Sequence, residues 1–226
     1  MYVGRVMHTD LVTISPDTPL SKAKDIVDEK KIAHLLIVDR KGDLRGLLSD
    51  RDIKRSWASP ATTLSVHELN YLLEKVTVDM VMVKKIISVS PDTTIERAAQ
   101  IMQENRISAL PVVRDGTLAG IITTTDVMGV LLEAIGIDRG DSTRFEVLAE
   151  WNRIGVVAEI TGILKAEEIN IRSLFVWPDR DHSDMNHLVM RVGAETGEKA
   201  ISSLREKGFR VLTEYVADIT PCLSSE

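Results

Sequence analysis

Two segments of the chain place a hydroxyl residue three positions before an aspartate, directly after a pair of aliphatic residues. The segments are residues 46–52, with Ser49 and Asp52, and residues 120–126, with Thr123 and Asp126. This spacing is typical of a helix start, where both side chains accept hydrogen bonds from free backbone N–H groups. The same groups also place acceptors beside a helix N-terminus, an arrangement that suits a ribose and its phosphates. The pattern therefore predicts a helix cap, a binding site, or both.

The two segments belong to an internal repeat. Residues 15–18 recur as residues 90–93, and residues 32–38 recur as residues 107–113, both 75 positions later. The glycine that opens each motif recurs after 74 positions, because the second copy has a shorter preceding turn. Several landmarks in register indicate a duplicated unit of roughly fifty residues.

Each copy has the pattern β-α-β-β-α. In the first copy, the β-branched run 11–14 ends in turn and cap residues, and a strand at 35–38 precedes the turn and the glycine motif. The helix between them carries apolar residues at helical spacing. These residues are Leu20, Ala23, Ile26 and Val27, matched by Ile95, Ala98, Ile101 and Met102. One small sheet cannot bury both of its faces, so we expect the two copies to pack sheet to sheet.

The repeat pattern ends near Gly136, and a second kind of domain follows. The predicted order is βαββαβ, a ferredoxin-like split unit, so the fold class is α+β. The predicted elements are strand 143–149, helix 155–167, strand 169–176, strand 186–192, helix 198–207 and strand 209–215. The predicted domains are 1–60, a connector at 61–77 with a helix over 65–75, 78–136, and 142–216.

Composition limits the classes of function. The chain has 226 residues with a net charge of −6 and no basic run, which argues against a nucleic-acid surface. Its single cysteine, Cys222, can form neither an intramolecular disulfide nor a Cys/His metal cluster. No run of 18 apolar residues and no signal-like N-terminal stretch is present, so we expect a cytoplasmic protein without a membrane segment. There is no P-loop, no Gly-x-Ser-x-Gly and no His-Glu-x-x-His, so we expect no catalytic activity and no catalytic cofactor.

The repeats resemble CBS domains, and a tandem pair of them forms a Bateman module. The resemblance rests on the Ser-Pro-Asp-Thr turns, on residues 107–113, and on the doubled glycine motif. Residues 142–216 resemble an ACT domain, with an entry at 151–160 in which Asn152 replaces the usual Asp and Ile154 the usual Pro. The order of two CBS domains and one ACT domain resembles that of acetoin-utilization proteins of the AcuB type.

The resemblance implies that AMP, ADP or ATP binds as a regulatory ligand in two clefts between the sheets. The Ser/Thr and Asp of each motif would hold the ribose, and the residue before the Asp would face the phosphates. Aliphatic side chains would sandwich the adenine. One implied cleft comprises Ser49, Arg51, Asp52, His34, Leu47, Ile87, Ile107 and Ser108. The other comprises Thr123, Thr125, Asp126, Ile121, Val12, Ile32 and Ala33.

Several expectations follow for ligands and partners. Arg51 and His34 give positive charge to the first cleft, whereas the second has only Thr125 at the matching position, so we expect the phosphorylated nucleotide to prefer the first. In the ACT domain, Asn152, Ile154 and Gly155 would offer free N–H groups to the carboxylate of an amino acid. The loop 178–184 with its histidines is interpreted as solvated, without a metal. We expect at least a homodimer, and the alternative function is a scaffold with empty clefts that holds an unknown partner.

Overall fold

A computed structural model describes residues 1–57, 75–137 and 140–223. The chain divides into two compact units, Met1–Met128 and Gly129–Glu226. Most of the predicted connector at 61–77 lies outside the described residues. No helix in the described part of the chain has both the length and the apolar character that crossing a membrane requires.

The first repeat follows the predicted order. Its elements are β1 (Thr13–Ile14), α1 (Leu20–Lys30), β2 (His34–Val38), β3 (Leu44–Ser49) and α2 (Asp50–Ser56). Strand β2 is central, parallel to β1 and antiparallel to β3. Its three middle residues are buried, because both faces of this strand are covered.

The second repeat has the same order with a weaker first strand. Its elements are α3 (Val78–Val81), α4 (Ile95–Asn105), β4 (Ala109–Arg114), β5 (Thr117–Thr123) and α5 (Thr124–Ala134). Strands β4 and β5 are antiparallel. Residues 86–89, the equivalent in this copy of the predicted strand at 11–14, form only a single parallel bridge, between Val89 and Val112.

The N-terminal segment of each repeat lies against the other repeat. Residues 1–8 pair with the second copy: the Ile95 N–H donates to the Met1 carbonyl, and His8 forms a bridge with Ile121. The equivalent segment 76–83 pairs with the first copy, where Val83 forms a bridge with Leu47. Each exchanged segment satisfies a backbone donor of the first turn of a helix, which would otherwise lack a partner.

The glycines that open the two motifs permit this exchange. A Cβ on Gly120 would lie 2.6 Å from Met7 Sδ and 3.0 Å from the His8 carbonyl oxygen. A Cβ on Gly46 would lie 2.9 Å from Met82 Cγ. At Gly120 a larger residue would therefore press on the backbone of the exchanged segment, whereas at Gly46 the Met82 side chain would have to move.

The core of the first repeat is aliphatic, as the low aromatic content requires. Helix α1 buries Leu20 and Ala23 against Leu35 and Ile37 of β2 and Leu48 of β3. Burial of each large aliphatic side chain stabilises the fold by about 2 kcal/mol. This packing fixes the end of β3, where the first hydroxyl–aspartate motif begins.

The second unit is a four-stranded antiparallel sheet with helices on one face. Its strands lie in the order β7-β8-β6-β9, and Phe145 and Met190 of the sheet are fully buried together with Leu164 and Leu204 of the helices. The order of elements is the predicted ferredoxin-like one. The elements are β6 (Ser142–Glu150), α6 (Val156–Ala166), β7 (Ile171–Pro178), β8 (Met185–Gly193), α7 (Gly197–Glu206), β9 (Arg210–Leu212) and α8 (Thr220–Leu223).

The prediction of a last strand over 209–215 is wrong at its C-terminal end. Strand β9 pairs with β6 only from Arg210 to Leu212, and Tyr215 is 90% exposed. The chain leaves the sheet because Ile219 is buried in a small cluster with Leu148 and Met185, on the sheet face that α6 and α7 leave open.

Candidate functional site

Both hydroxyl–aspartate motifs cap a helix. The Ser49 backbone N–H and hydroxyl donate to Asp52 Oδ2 at 3.0 and 2.5 Å, and the Asp52 N–H donates to Ser49 Oγ at 3.2 Å. In the second repeat, the Thr123 N–H and hydroxyl each lie 2.7 Å from Asp126 Oδ2. These reciprocal bonds form a capping box at the start of α2 and the corresponding arrangement at the start of α5. The prediction that both motifs are helix caps is therefore confirmed by the hydrogen bonds.

The next backbone donor ties the start of each helix to the residue that precedes a strand, β2 in the first repeat and β4 in the second. The Asp50 N–H donates to the Ala33 carbonyl at 2.9 Å, and the Thr124 N–H donates to the Ser108 carbonyl at 2.9 Å. Because of these bonds, the start of α2 lies beside the first residues of β2, and the start of α5 lies beside the first residues of β4. This brings residues far apart in sequence to the same place.

The remaining oxygen of each aspartate differs between the repeats. Asp52 Oδ1 forms no hydrogen bond with any described residue. Asp126 Oδ1 lies 2.8 Å from His8 Nε2. One carboxylate thus keeps a free acceptor, whereas the other already has a partner.

A cavity of about 240 Å³ lies beside Asp52. We call it the Asp52 cavity. Four cationic side chains line it: Arg51, Arg55, Lys85 and Arg106. All eight residues that the sequence assigns to the first cleft also line it, namely His34, Leu47, Ser49, Arg51, Asp52, Ile87, Ile107 and Ser108. Its only carboxylate among the described residues is that of Asp52, so this cavity suits an anion.

A larger cavity, of about 950 Å³, lies beside Asp126. We call it the Asp126 cavity. All seven residues assigned to the second cleft line it: Val12, Ile32, Ala33, Ile121, Thr123, Thr125 and Asp126. Lys31 and Arg51 also line it, together with the carboxylates of Asp10, Asp50 and Asp126. Acids therefore outnumber Lys and Arg in the lining.

A common wall separates the two cavities. His34, Arg51 and Ser108 line both, and His34 Nε2 lies 2.9 Å from Ser108 Oγ. Burial lowers the pKa of His34, with Asp50 and Asp52 opposing that shift. At neutral pH the His34 ring is therefore neutral.

These observations correct the predicted distribution of charge. His34 adds no positive charge to the Asp52 cavity, because its burial favours the neutral ring. The Asp126 cavity does contain cations, Lys31 and Arg51, which come from the first repeat across the common wall. Arg106, which follows the last residue of α4, also lines the Asp52 cavity. Among the described residues, the Asp52 cavity is still the more positively charged of the two, but its charge comes from Arg51, Arg55, Lys85 and Arg106.

His8 is a residue of this site that the sequence interpretation missed. It corresponds to Val83 in the second copy by the offset of 75 residues. The signal available in the sequence was that one copy has a polar residue at this position and the other copy an aliphatic one. His8 reaches Asp126 only because the N-terminal segment packs on the second repeat, and a local sequence pattern does not show that packing.

The residues predicted to bind an amino acid lie on the surface of the second unit. Gly155 has a φ of 87° and caps α6, and Ile154 is 98% exposed. Arg153 beside them forms an ion pair with Glu159. A positive φ explains the glycine by backbone conformation alone.

The loop 178–184 is not simply solvated. His187 of β8, with a side chain 13% exposed, lies 2.6 Å from Glu146 Oε2 and 2.8 Å from Asp179 Oδ2. His182 also contacts Asp179, and these bonds hold the pKa of Asp179 well below its usual range, the one to His187 most strongly. Within the described ranges, no group of three or more His, Cys, Asp or Glu side chains has the arrangement of a metal site.

Comparison with known proteins identifies the domains. The CBS domain family matches residues 3–59 and 78–133, together half of the chain, and the ACT domain family matches residues 143–207.

Individual relatives match only part of the chain. A homoserine O-acetyltransferase of Methanohalobium evestigatum is 31% identical over 133 residues, which are 58% of this chain but only 24% of that enzyme. A CBS domain-containing protein of Dictyostelium discoideum is 27% identical over 134 residues, 59% of this chain and 92% of that protein. The chain thus spans about a quarter of the length of the acetyltransferase relatives it matches.

Solved structures agree on the fold. The Vibrio cholerae protein described as AcuB, for acetoin utilization, has a TM-score of 0.50 and 27% identity, covering 62% of this chain and 96% of that one. A CBS-domain protein from Agrobacterium tumefaciens has a TM-score of 0.51 and 24% identity, covering 58% and 99%. The chain belongs to the CBS-domain family, as a tandem CBS pair followed by an ACT domain.

Proposed function

We propose that this protein is a non-catalytic regulator that binds adenosine nucleotides in the Asp52 and Asp126 cavities. The observation that carries the proposal is the state of Asp52. One of its oxygens caps α2, the other has no partner among the described residues, and four cations line the same cavity. A free carboxylate oxygen beside several cations is suited to a ligand that combines hydroxyl groups with an anion.

A ribose phosphate has that combination. Asp52 Oδ1 would accept hydrogen bonds from the ribose hydroxyls, which are stronger than neutral bonds because the acceptor is charged. The guanidinium groups of Arg51 and Arg106 would hold the phosphate. Leu47, Ile87 and Ile107 would contact the flat faces of the base.

The site also offers a route from binding to regulation. Ser49, Asp52, Thr123 and Asp126 hold the first turns of α2 and α5, so a nucleotide that contacts them would act on the positions of both helices. A ligand shifts a conformational equilibrium only if it binds two arrangements with different affinity. We propose that α2 and α5 are the elements whose arrangement changes, and that the ACT domain receives a second signal, such as an amino acid near Gly155.

The direct test is a thermal-shift and calorimetry series with AMP, ADP, ATP, adenosine and S-adenosylmethionine. A ligand that binds only the folded state raises the melting temperature as its concentration increases. We expect a saturable rise with at least one adenine nucleotide and no rise with a pyrimidine nucleotide such as CMP. No response to any purine at millimolar concentration would contradict the proposal.

A second candidate function is a ligand-free scaffold, and the capping geometry favours it. Ser49 with Asp52 and Thr123 with Asp126 are explained as helix caps without any ligand. Under this alternative, Asp52→Ala would lower stability but no nucleotide would change the melting temperature of either form.

We also propose self-association, at least as a homodimer. None of the residues of helix α5 is buried, and its apolar side chains Met128 and Leu131 are each 54% exposed. Exposed apolar surface of this kind commonly marks an interaction site. Sedimentation equilibrium should give at least twice the chain mass of 25.1 kDa. Replacement of Met128 and Leu131 by Glu should reduce that mass to one chain.

A further inference from the structure

The contact between His8 and Asp126 has no counterpart at Asp52 among the residues that the structure describes. His8 comes from the exchanged N-terminal segment and is held in place by two backbone bonds to Ile121, of 2.9 and 3.0 Å. Its side chain is 62% exposed, whereas that of Asp126 is 13% exposed. The imidazole therefore lies on the solvent side of the carboxylate that it contacts.

Val83 occupies the same position in the other half of the pair. It forms the equivalent backbone bonds to Leu47, of 2.9 and 3.1 Å, and it lines the Asp52 cavity. A valine side chain cannot donate a hydrogen bond. Asp52 Oδ1 thus has no partner among the described residues, and the pseudo-symmetric backbone places an aliphatic side chain where the other cavity has an imidazole.

The number of acceptor sites on each carboxylate follows from these contacts. Oδ2 of both aspartates already accepts two bonds from the capping residue. Oδ1 has two lone pairs, which match the two hydroxyls of one ribose. In Asp126 one of these positions is used by His8, so the carboxylate can accept from one ribose hydroxyl only unless the imidazole moves away.

We propose that His8 sets the ligand specificity of the Asp126 cavity by competing with the ribose for Asp126 Oδ1. This inference rests on the proposed binding of adenosine nucleotides. The Asp126 cavity is consequently the weaker ribonucleotide site, and it distinguishes ribose from 2′-deoxyribose poorly. Replacement of His8 by the residue of the other repeat raises the ribonucleotide affinity of the Asp126 cavity and restores its preference for ribose, while the difference in charge between the cavities remains.

The test isolates the Asp126 cavity by blocking the other one. Asp52→Asn keeps an amide oxygen that can accept the capping bonds but replaces the free acceptor by an NH₂ donor, which disfavours the ribose. Calorimetry with AMP and with 2′-deoxy-AMP is then performed on the full chain carrying Asp52→Asn alone and on the chain carrying both Asp52→Asn and His8→Val. Val83→His in the otherwise unchanged chain is the reciprocal control.

Removal of His8 should raise the AMP affinity of the Asp126 cavity about tenfold, the usual effect of one hydrogen bond to a charged group. The preference for AMP over 2′-deoxy-AMP should rise by a similar factor. Val83→His should lower the affinity and the ribose preference of the Asp52 cavity.

Two outcomes would overturn the proposal while nucleotide binding itself stands. They are an AMP affinity that is unchanged by His8→Val, and an affinity that falls, which would make His8 a ligand contact. Circular dichroism and melting temperature confirm that each variant is folded. Absence of any AMP binding by the unmodified chain would instead overturn the proposed function and this inference together.

Discussion

The Asp52 and Asp126 cavities are built from the same repeat, yet they differ in volume, charge and the state of the central carboxylate. Among the described residues, the Asp52 cavity, about 240 Å³, has four cations and a free carboxylate acceptor. Among the same residues, the Asp126 cavity, about 950 Å³, has more acids than Lys and Arg, and its carboxylate contacts His8. Ligand sites commonly have volumes of about 300–1,000 Å³. Charge therefore favours a phosphate in the first cavity, whereas space favours a ligand in the second.

This difference shows how a duplication can conserve a scaffold and vary a site. The caps, the anchoring bonds to residues 33 and 108, and the glycines that admit the exchanged segments are the same in both halves. The differing residues, His8 against Val83 and Arg51 against Thr125, all line one or both cavities. The backbone provides two equivalent positions, and a few side chains give each cavity its own charge and hydrogen-bonding groups.

Loss of the free carboxylate oxygen of Asp52 should change the affinity for AMP more than any other substitution considered below. Asp52→Asn should weaken AMP binding at the Asp52 cavity by roughly 10- to 100-fold, because each bond to a charged acceptor contributes about 1.5–3 kcal/mol. Asp126→Asn should have a smaller effect, since His8 already engages that carboxylate. Calorimetry on both variants measures the difference. Equal losses would show that the two aspartates are equivalent and would remove the basis of the comparison.

Displacement of the exchanged segment should change the free energy of unfolding by a similar amount. Gly120→Ala should lower the free energy of unfolding by about 1–3 kcal/mol, because the new Cβ would lie 3.0 Å from the His8 carbonyl oxygen. Gly129→Ala is the control. A Cβ at this position of α5 would have no described atom within 4 Å outside its own helix, so the substitution should be neutral or slightly stabilising. Denaturant unfolding compares the two variants. A neutral Gly120→Ala would contradict the close packing of residues 7 and 8 on β5.

A smaller effect tests the charge of the two cavities. Arg51→Ala should reduce the affinity for AMP roughly fivefold, near 1 kcal/mol for an exposed charge, and leave adenosine unchanged. Thr125→Ala, at the equivalent position of the repeat, should change AMP binding less. The Arg51 effect should also shrink at high salt, because exposed charges are screened. Equal losses from both substitutions would contradict the predicted preference for the first cleft.

The smallest effect concerns the wall between the cavities. The folded-state pKa of His34 is lower than that of the unfolded chain, so the unfolded state binds more protons as the pH falls through about 6.5. Its contribution to stability is therefore present above that pH and is lost below it. In the His34→Gln variant, the free energy of unfolding should change less between pH 7.5 and pH 5.5 than it does in the unmodified chain. Identical slopes would show that His34 is not held in its neutral form.

Much of this architecture was predictable from the sequence because its signals are local. The turns after residues 14 and 89, the helical spacing of Leu20 and Ala23, and the capping pattern at Ser49 each depend on a few neighbouring residues. The repeat then supplied the pairing of the two copies. These local signals made the fold predictable from the sequence, whereas the assignment of residues to two clefts came from the resemblance to CBS domains.

The remaining features depend on contacts between distant residues. The N-terminal segments exchange partners, which places His8 beside Asp126, 118 positions away. Strand β9 ends at Leu212 because burial of Ile219 against Leu148 draws the chain away from the sheet edge. The pKa of His34 depends on burial between two repeats. None of these effects leaves a periodic pattern in the sequence.

Binding of an adenosine nucleotide at Asp52 can be observed in a crystal structure of the full chain grown with AMP at a concentration near its dissociation constant. We expect AMP to occupy the Asp52 cavity before the Asp126 cavity, with a ribose hydroxyl within hydrogen-bond distance of Asp52 Oδ1. AMP bound with its ribose away from both aspartates, or no AMP in either cavity, would contradict this expectation.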